Sequence, residues 1–407
     1  MIVKRPGRPA SLKSPGTNSG VTIGAVVVGG DYQGLGIVRS LGRHGIPVCV
    51  IDDECSVARF SRYTTHWVGA ARILDEGKCV ETVLEVGRRL DLNGWVLFPT
   101  RDETVAAFSR YRDSLAKLFR VPTPEWSTTK WAWDKRNTYR LANELGIPTP
   151  RTWYPDEIGD LDDIRAEPPF AVKPAIKEHF IYATRAKAWR ANDRSELREM
   201  FQRASALVEP GEVMIQDLIP GGGDRQFAYC AFFKEGRAMG SMVVRRTRQH
   251  PPEFGRSSTF VETIESPLLE AQSERFLRKL NYYGLVELEY KHDPRDGQYK
   301  LLDVNARTWG YHTLGFRAGV DFAHMLYADQ VDQPVQPCRA RSGLSWVRLI
   351  TDVPTATLEI FRGRQNWRTY MRSLKMSSVE SVFMKDDSFP GLAEIGLLPY
   401  LMLKRGF

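Results

Sequence analysis

No apolar run in this 407-residue sequence approaches the ~18–20 residues needed to cross a bilayer, so no membrane span is expected. Nor does the N-terminus read as a secretory leader. The first twenty residues, MIVKRPGRPASLKSPGTNSG, are basic and rich in Pro, Ser and Gly, and no apolar core follows them. Residues 1–20 read as a disordered tail outside the fold. Cysteine is sparse: Cys49, Cys55, Cys79, Cys230 and Cys338 are odd in number, scattered and never in a CxxC pair. That pattern argues against a disulfide framework or a zinc site and points to a reducing cytoplasm. No internal repeat is found, so the length is shared among distinct domains, two or three at roughly 100–200 residues each.

What is present is ordinary for a globular protein, with 42% hydrophobic and 26% charged residues. The formal net charge is +8, but several cations lie in the tail and the others are interleaved with acids. Small substrates bearing phosphate call for Lys and Arg as nucleic acid does, and no nucleic-acid partner is expected.

From residue 21 strand and helix patterns alternate. VTIGAVVVGG (21–30) is a β-type run entering a glycine turn, and GLGIVRSLGRHG (34–45) has helical spacing with Ile37, Val38 and Leu41 on one side. IPVCVIDD is a second buried strand. A helix at 78–90, the strand WVLFPT (95–100) and a helix after Arg101-Asp102-Glu103 continue the series. Residues 21–125 therefore predict a doubly wound α/β domain. Lys130 to Gly146 predicts one helix, closed by Gly146 and a proline two residues on. Strands follow at 169–175, 212–219, 225–234 and 237–246, the last two joined by the hairpin signal Glu235-Gly236. A helix from Leu268 to Leu280 precedes a second hairpin, GLVELEYKH to QYKLLDVNAR, across the turn DPRDG. Beyond residue 335 the pattern is mixed and weaker.

The second hairpin carries the chemistry. Side chains alternate along a strand, so Glu287 and Glu289 share one face, as do Asp303, Asn305 and Arg307. A register centred near Asp296 puts Glu289 opposite Asp303, while Leu288, Leu302 and Val304 mark an apolar opposite face. Two carboxylates and an amide would make a poor core, but they are hard oxygen ligands of the kind that suit Mg²⁺ completed by water and substrate phosphates. A solvent-facing polar strand would look the same. Lys173 stands inside the apolar strand FAVKPA, where it either snorkels or grips nucleotide phosphate. Lys135 opens a helix. Gln216-Asp217-Leu218-Ile219 ends a strand before three glycines, a hinge able to read an adenine edge. RRTRQHPPEFGRSS (245–258) is either a solvated basic loop or a grip on an acidic substrate, through Arg246 and Arg248.

The order of these motifs is what is distinctive: DK-x₁₀-GIPTP at 134–150, VKP at 172–174, QDLIPG at 216–221, GLVELEY…LLDVNAR at 284–307 and GVD at 319–321. VVVGGDYQGLGIVRSLG, SVARFSRYT and FPTRDETV precede them. From Val21 to Asp332 the chain resembles the ATP-grasp superfamily of carboxylate–amine ligases, closest to its D-aspartate ligase-like and carbamoyl-phosphate-synthase-like branch. The resemblance implies an α/β and α+β architecture: a Rossmann-like pre-ATP-grasp domain at 21–125, an ATP-grasp domain of two α+β subdomains at 126–335, and a C-terminal extension at 336–407. It implies that Lys135 and Lys173 contact ATP phosphates, with Lys187 a further cofactor-binding residue from the lid, and that Gln216, Asp217, Leu218 and Ile219 hold adenine. Glu289, Asp303 and Asn305 would bind two Mg²⁺ ions, with Mn²⁺ an allowed substitute, and Arg307 would be catalytic, stabilising the transferred phosphoryl or acyl phosphate. The expected partners are small-molecule carboxylate and amine substrates, and a homodimer is one assembly allowed. The chain departs from the pattern in lacking a glycine-rich lid after Lys173, in Gln216 for an acidic hinge residue, and in Asp303 for the commoner glutamate.

Three rival readings lead elsewhere. A dinucleotide-dependent oxidoreductase would use Gly34-Leu35-Gly36 and Asp52-Asp53, but GLGIVR breaks the G-x-G-x-x-G pattern at its third glycine. A nucleic-acid binder would rely on RRTR and the tail. A non-catalytic ATP-binding protein would keep the site without turnover.

Overall fold

The computed structural model describes residues 22–405 apart from 72 and 210; the 1–20 tail lies outside the described residues. The described residues build three sheets. The first holds β1 (Ala25–Val28), β2 (Val48–Asp52), β3 (Thr64–Gly69) and β4 (Val96–Pro99), all parallel in the order β3-β2-β1-β4. Its central strands, AVVV and VCVID, are buried throughout, as expected when helices cover both faces of a parallel sheet. Gly29, at φ +97°, lets β1 turn into helix Tyr32–Arg43; a Cβ there would meet Thr100 Oγ1 at 2.1 Å.

The second sheet is small and antiparallel: β5 (Thr152–Trp153), β6 (Phe170–Pro174), β7 (Trp189–Ala191) and β8 (Val213–Asp217), ordered β5-β8-β6-β7. The third is the largest. β9 (Gln226–Lys234), β10 (Arg237–His250), β11 (Ser257–Ile264), β12 (Gly284–His292) and β13 (Tyr299–Asn305) are joined by β14 (Cys338–Arg339), β15 (Ser345–Val347) and β16 (Val379–Glu380). The order is β13-β12-β9-β10-β11-β15-β16, with β14 on β10. Glu235 and Gly236 take positive φ (52° and 77°) in the β9–β10 turn, as that two-residue loop requires.

Two sequence expectations need correction here. The single helix over 130–146 is two, Trp126–Trp133 and Lys135–Glu144, because Asp134 leaves helical geometry and its side chain accepts from the Arg136 amide as an N-cap. Gly146, at φ +64°, does end the second. The basic segment 245–258 is not a free loop: it is the end of β10, a turn, and the start of β11.

The weakly patterned segment after 335 extends the main sheet and returns to the first domain. Asp387 accepts from Arg39 Nε at 2.9 Å, from Ser61 Oγ at 2.7 Å and from the Arg62 amide at 2.9 Å. Arg39 and Asp387 are both almost fully buried.

Candidate active site

β12 and β13 pair with Glu287 opposite Asn305 and Glu289 opposite Asp303, the register the sequence predicts. A bulge then sets Tyr290 opposite Leu301. It corrects one expectation: Leu302 leaves the apolar face, and Leu301 joins Leu288 and Val304 in the core instead.

The polar face faces cations delivered by four separate segments. Lys135, first residue of its helix, donates to Asp303 Oδ1 at 2.9 Å. Lys177 begins helix Lys177–Thr184, in the segment that lacks the glycine-rich lid, and lies 2.7 Å from Asp102 Oδ2 and 3.1 Å from Asn305 Oδ1. Arg246 on β10 donates to Glu289 Oε2 at 2.5 Å. Arg307, just beyond β13, forks onto both oxygens of Asp102 at 2.9 Å and reaches Asn305 Oδ1 at 3.2 Å. Asn305 Nδ2 in turn donates to Glu287 and Glu289 at 3.0 and 3.1 Å, and Tyr311 OH donates to Glu287.

Burial and charge set the ionisation. Burial opposes ionisation of Asp303, but Lys135, Lys177 and Lys187 together hold its carboxyl below the usual range. Glu289 is likewise held low against burial, by Arg246 and Lys187. Glu287 is pushed up to about 7 by burial and the Glu289 charge. Burial and the neighbouring Lys135 cation bring Lys173 down to about 7; its ammonium donates to Tyr139 OH at 3.1 Å. Burial also lowers Lys187, with Glu289 opposing.

Beside this cluster lies a cavity of about 750 Å³ lined by Lys173, all four hinge residues Gln216 to Ile219, Pro169, Ala171, Phe254, Lys291 and Leu302. Its lining mixes apolar side chains, among them Pro169, Ala171, Phe254 and Leu302, with polar ones such as Lys173, Gln216 and Lys291. Lys291 fixes the hinge, donating to the Ile219 and Gly221 carbonyls at 2.8 Å each. A second cavity, about 590 Å³, has both signs of charge on its wall: Asp31 and Glu54 with Arg101, Arg185, Arg256 and Arg348. Helix Lys177–Thr184 contributes to both the ionic cluster and this cavity, through Lys177 and Tyr182.

No family model matches the chain. It is 23% identical over 321 residues to the D-aspartate ligase of Enterococcus faecium (strain Aus0004), covering 75% of this chain and 76% of that one. Among solved structures, the L-amino acid ligase of Bacillus licheniformis superposes with a TM-score of 0.60 at 16% identity, over 79% of this chain and 78% of its own. The biotin carboxylase domain of Hydrogenobacter thermophilus 2-oxoglutarate carboxylase, solved with MgADP and bicarbonate, reaches 0.63 at 13% identity, over 80% and 74%. These neighbours have the ATP-grasp fold, in keeping with the parallel and antiparallel sheets of this chain. The chain has the ATP-grasp fold.

The ATP-grasp cleft gathers Lys135, Glu289, Asp303, Asn305 and Arg307 in one ionic cluster, with Lys187 close enough to act on Glu289 and Asp303. Lys173 and the hinge line the adjoining cavity. Arg246 touches the acidic ribbon rather than a separate substrate loop. Arg248 is not brought to the cleft. Its guanidinium forks onto buried Asp352 at 2.8 Å and stacks over Phe260 and Tyr370. Sequence reasoning did not single out Lys177, Asp102 or Glu287 as site residues. Glu287 carried a signal, its two-residue spacing from Glu289; Asp102 comes from the first domain and has none within the ATP-grasp motifs. The glycine motif weighed for a dinucleotide has a packing role: a Cβ on Gly36 would meet His312 Nε2 at 2.4 Å, and Asp52 is taken by the Gly30 amide and Arg101.

The donor set fits Mg²⁺. Among the described residues no three His, Cys, Asp or Glu side chains close a cage by themselves, which is how Mg²⁺ is normally held: by one or two carboxylates plus substrate phosphates. Arg246 Nε, buried without a hydrogen-bond partner, leaves a donor for an anion at the same place.

Proposed function

We propose that this ATP-grasp protein is a carboxylate–amine ligase that forms an acyl phosphate with ATP and couples it to an amine, releasing ADP and phosphate. One observation carries the reading: four oxygen-bearing side chains on one ribbon face (Glu287, Glu289, Asp303, Asn305) meet lysines and arginines from separate segments, next to a nucleotide-sized cavity.

In this reading Gln216, Asp217, Leu218 and Ile219 hold adenine, and Lys135, Lys173 and Lys187 take the phosphates. Glu289, Asp303 and Asn305 hold two Mg²⁺ ions, which Mn²⁺ can replace. The bound metal would neutralise phosphate charge during transfer. Phosphoryl transfer asks mainly for positioning and charge neutralisation, so the protein's contribution is the preset geometry. Asp102 fixes the Arg307 fork, and Asn305 orients Glu287 and Glu289. The carboxylate oxygen attacks the γ-phosphorus and ADP leaves. The amine nitrogen then attacks the acyl carbon, Arg307 stabilises the oxyanion, and phosphate departs as the amine loses a proton.

The second cavity takes the carboxylate substrate. Its mixed lining suits a zwitterion, and the D-aspartate and L-amino acid ligases that the chain resembles are named for amino acids, so an amino acid is the proposed substrate class. Among the described residues no helix is long and apolar enough to cross a membrane. We place the enzyme in the cytoplasm, where ATP is abundant, with a homodimer as its proposed assembly. ADP release is to be screened against pooled amino acids and carboxylates with Mg²⁺. Asp303→Asn and Lys173→Ala should each lower it at least a hundredfold, in line with the loss of one preorganised charge. Activity unchanged in both variants overturns the site.

A further inference from the structure

Large hydrophobic side chains exposed to solvent are not scattered evenly over this molecule. Of eighteen among the described residues, eleven fall between Val353 and Tyr400. Single exposed apolar residues need no explanation, but a concentration of this kind marks an interaction surface.

Six of the eleven lie on a pair of helices. Helix Leu349–Phe361 packs on β10 and β11 through the side that buries Thr351, Asp352 and Ala356. Its opposite side carries Val353, Leu358 and Phe361, the last 85% exposed. After a short turn, helix Trp367–Met376 buries Tyr370 and turns outward Trp367 (58% exposed), Met371 and Met376 (70%). The spacing of four residues between Trp367 and Met371 stacks them in one stripe, and Arg368 and Arg372 form the neighbouring stripe. From 353 to 376 there are five basic residues and one acid, Glu359, and that acid is paired within the segment to Arg362 and Arg364.

We propose that this helical pair is a docking surface for an anionic lipid membrane, on which the enzyme lies without crossing it. The chemistry selects this occupant. Amphipathic helices with Trp and Phe among Lys and Arg settle at the headgroup boundary, where the rings enter the acyl edge and the cations meet lipid phosphate. Both helices are far too short to span. A second copy placed face to face would bring its own five cations against these, which opposes a two-fold contact. Nucleic acid would engage the cations but leave Phe361, Trp367 and Met376 in water. None of its six apolar residues lines the cleft, and Arg368 and Arg372 stand outside it too, while Arg364 in the turn between the helices lines the 750 Å³ cavity.

The test is sedimentation of the full-length protein with vesicles of phosphatidylcholine alone or phosphatidylcholine mixed with phosphatidylglycerol. The expected result is partition into the phosphatidylglycerol vesicles only, weakened by salt. Phe361→Ala with Trp367→Ala should abolish it through lost insertion. Arg368→Glu with Arg372→Glu should lower the partition at least about thirtyfold, from the attraction of the two cations lost, with the added repulsion of the two carboxylates lowering it further. All four positions are exposed, and unchanged thermal unfolding of both variants checks that the fold is intact. Three results would overturn the proposal: no sedimentation with either vesicle, equal binding by the variants, or a dimer in sedimentation velocity that the same substitutions dissociate.

Discussion

With Lys173 on the ATP phosphates, as proposed above, ATP binding should depend on pH in a direction that can be worked out in advance. The free ammonium of Lys173 is destabilised by burial and by Lys135, which bring its pKa down to about 7. A triphosphate beside it restores the ordinary preference for the charged form. The bound state therefore holds more protons than the free state, and affinity must fall as pH rises through the free pKa. With that value near 7, about half of the free lysine is charged at pH 7 and about one per cent at pH 9. Reprotonation costs ~1.4 kcal/mol per pH unit, so ATP affinity should weaken about fiftyfold between pH 7 and 9. Calorimetric titration of ATP without Mg²⁺, in two buffers of different ionisation enthalpy, reads the proton uptake directly. Lys173→Met should bind more weakly but with a flat profile. Asp303→Asn should move the transition to lower pH, because Asp303 is what holds the lysine up. A flat profile in the unaltered enzyme, or a slope that survives in Lys173→Met, refutes the reasoning.

Three further outcomes are expected. Asp387→Ala strands the buried Arg39 cation and should cost about 3–5 kcal/mol in denaturant unfolding, with part of the loss recovered in the Arg39→Met, Asp387→Leu double variant. Arg248→Ala should lower the unfolding midpoint while leaving the KM for ATP unchanged, because its partners are Asp352, Phe260 and Tyr370; Arg246→Ala should instead lower kcat at least tenfold by freeing Glu289. Asp102→Asn should cut kcat with little change in ATP affinity, since it weakens the fork that orients Arg307; an unchanged kcat would show that Arg307 needs no such support.

The sequence is most legible where structure follows a local period. The β12–β13 ribbon alternates strictly from Glu287 to Glu289, so its polar face and its register against Asp303 could be read in advance. Periodicity fails at bulges. Register shifts on either side of Arg248 turn it away from Arg246, although residues two apart on a regular strand share a face. Leu302 escapes in the same way. Two site residues depend on tertiary closure: Asp102 meets Arg307 across 205 positions, and Lys177 opens a helix in a segment read as a lid of uncertain form. Asp is a residue type that caps helices, but the helical pattern on both sides of Asp134 hides the break. After 335 the strands are only two or three residues long, too short for any period to register.

The Asp387–Arg39 contact also bears on how the protein is made. A ribosome finishes the whole first α/β unit, to about residue 125, while the carboxylate that neutralises Arg39 is still roughly 260 codons away. Until then a cation destined for the interior has no built-in counterion and must stay hydrated, so the seam at Ser61 and Arg62 stays open through most of translation. A late stretch thus locks an early one, and a chain released short of residue 387 would carry the cleft residues within an unsealed frame.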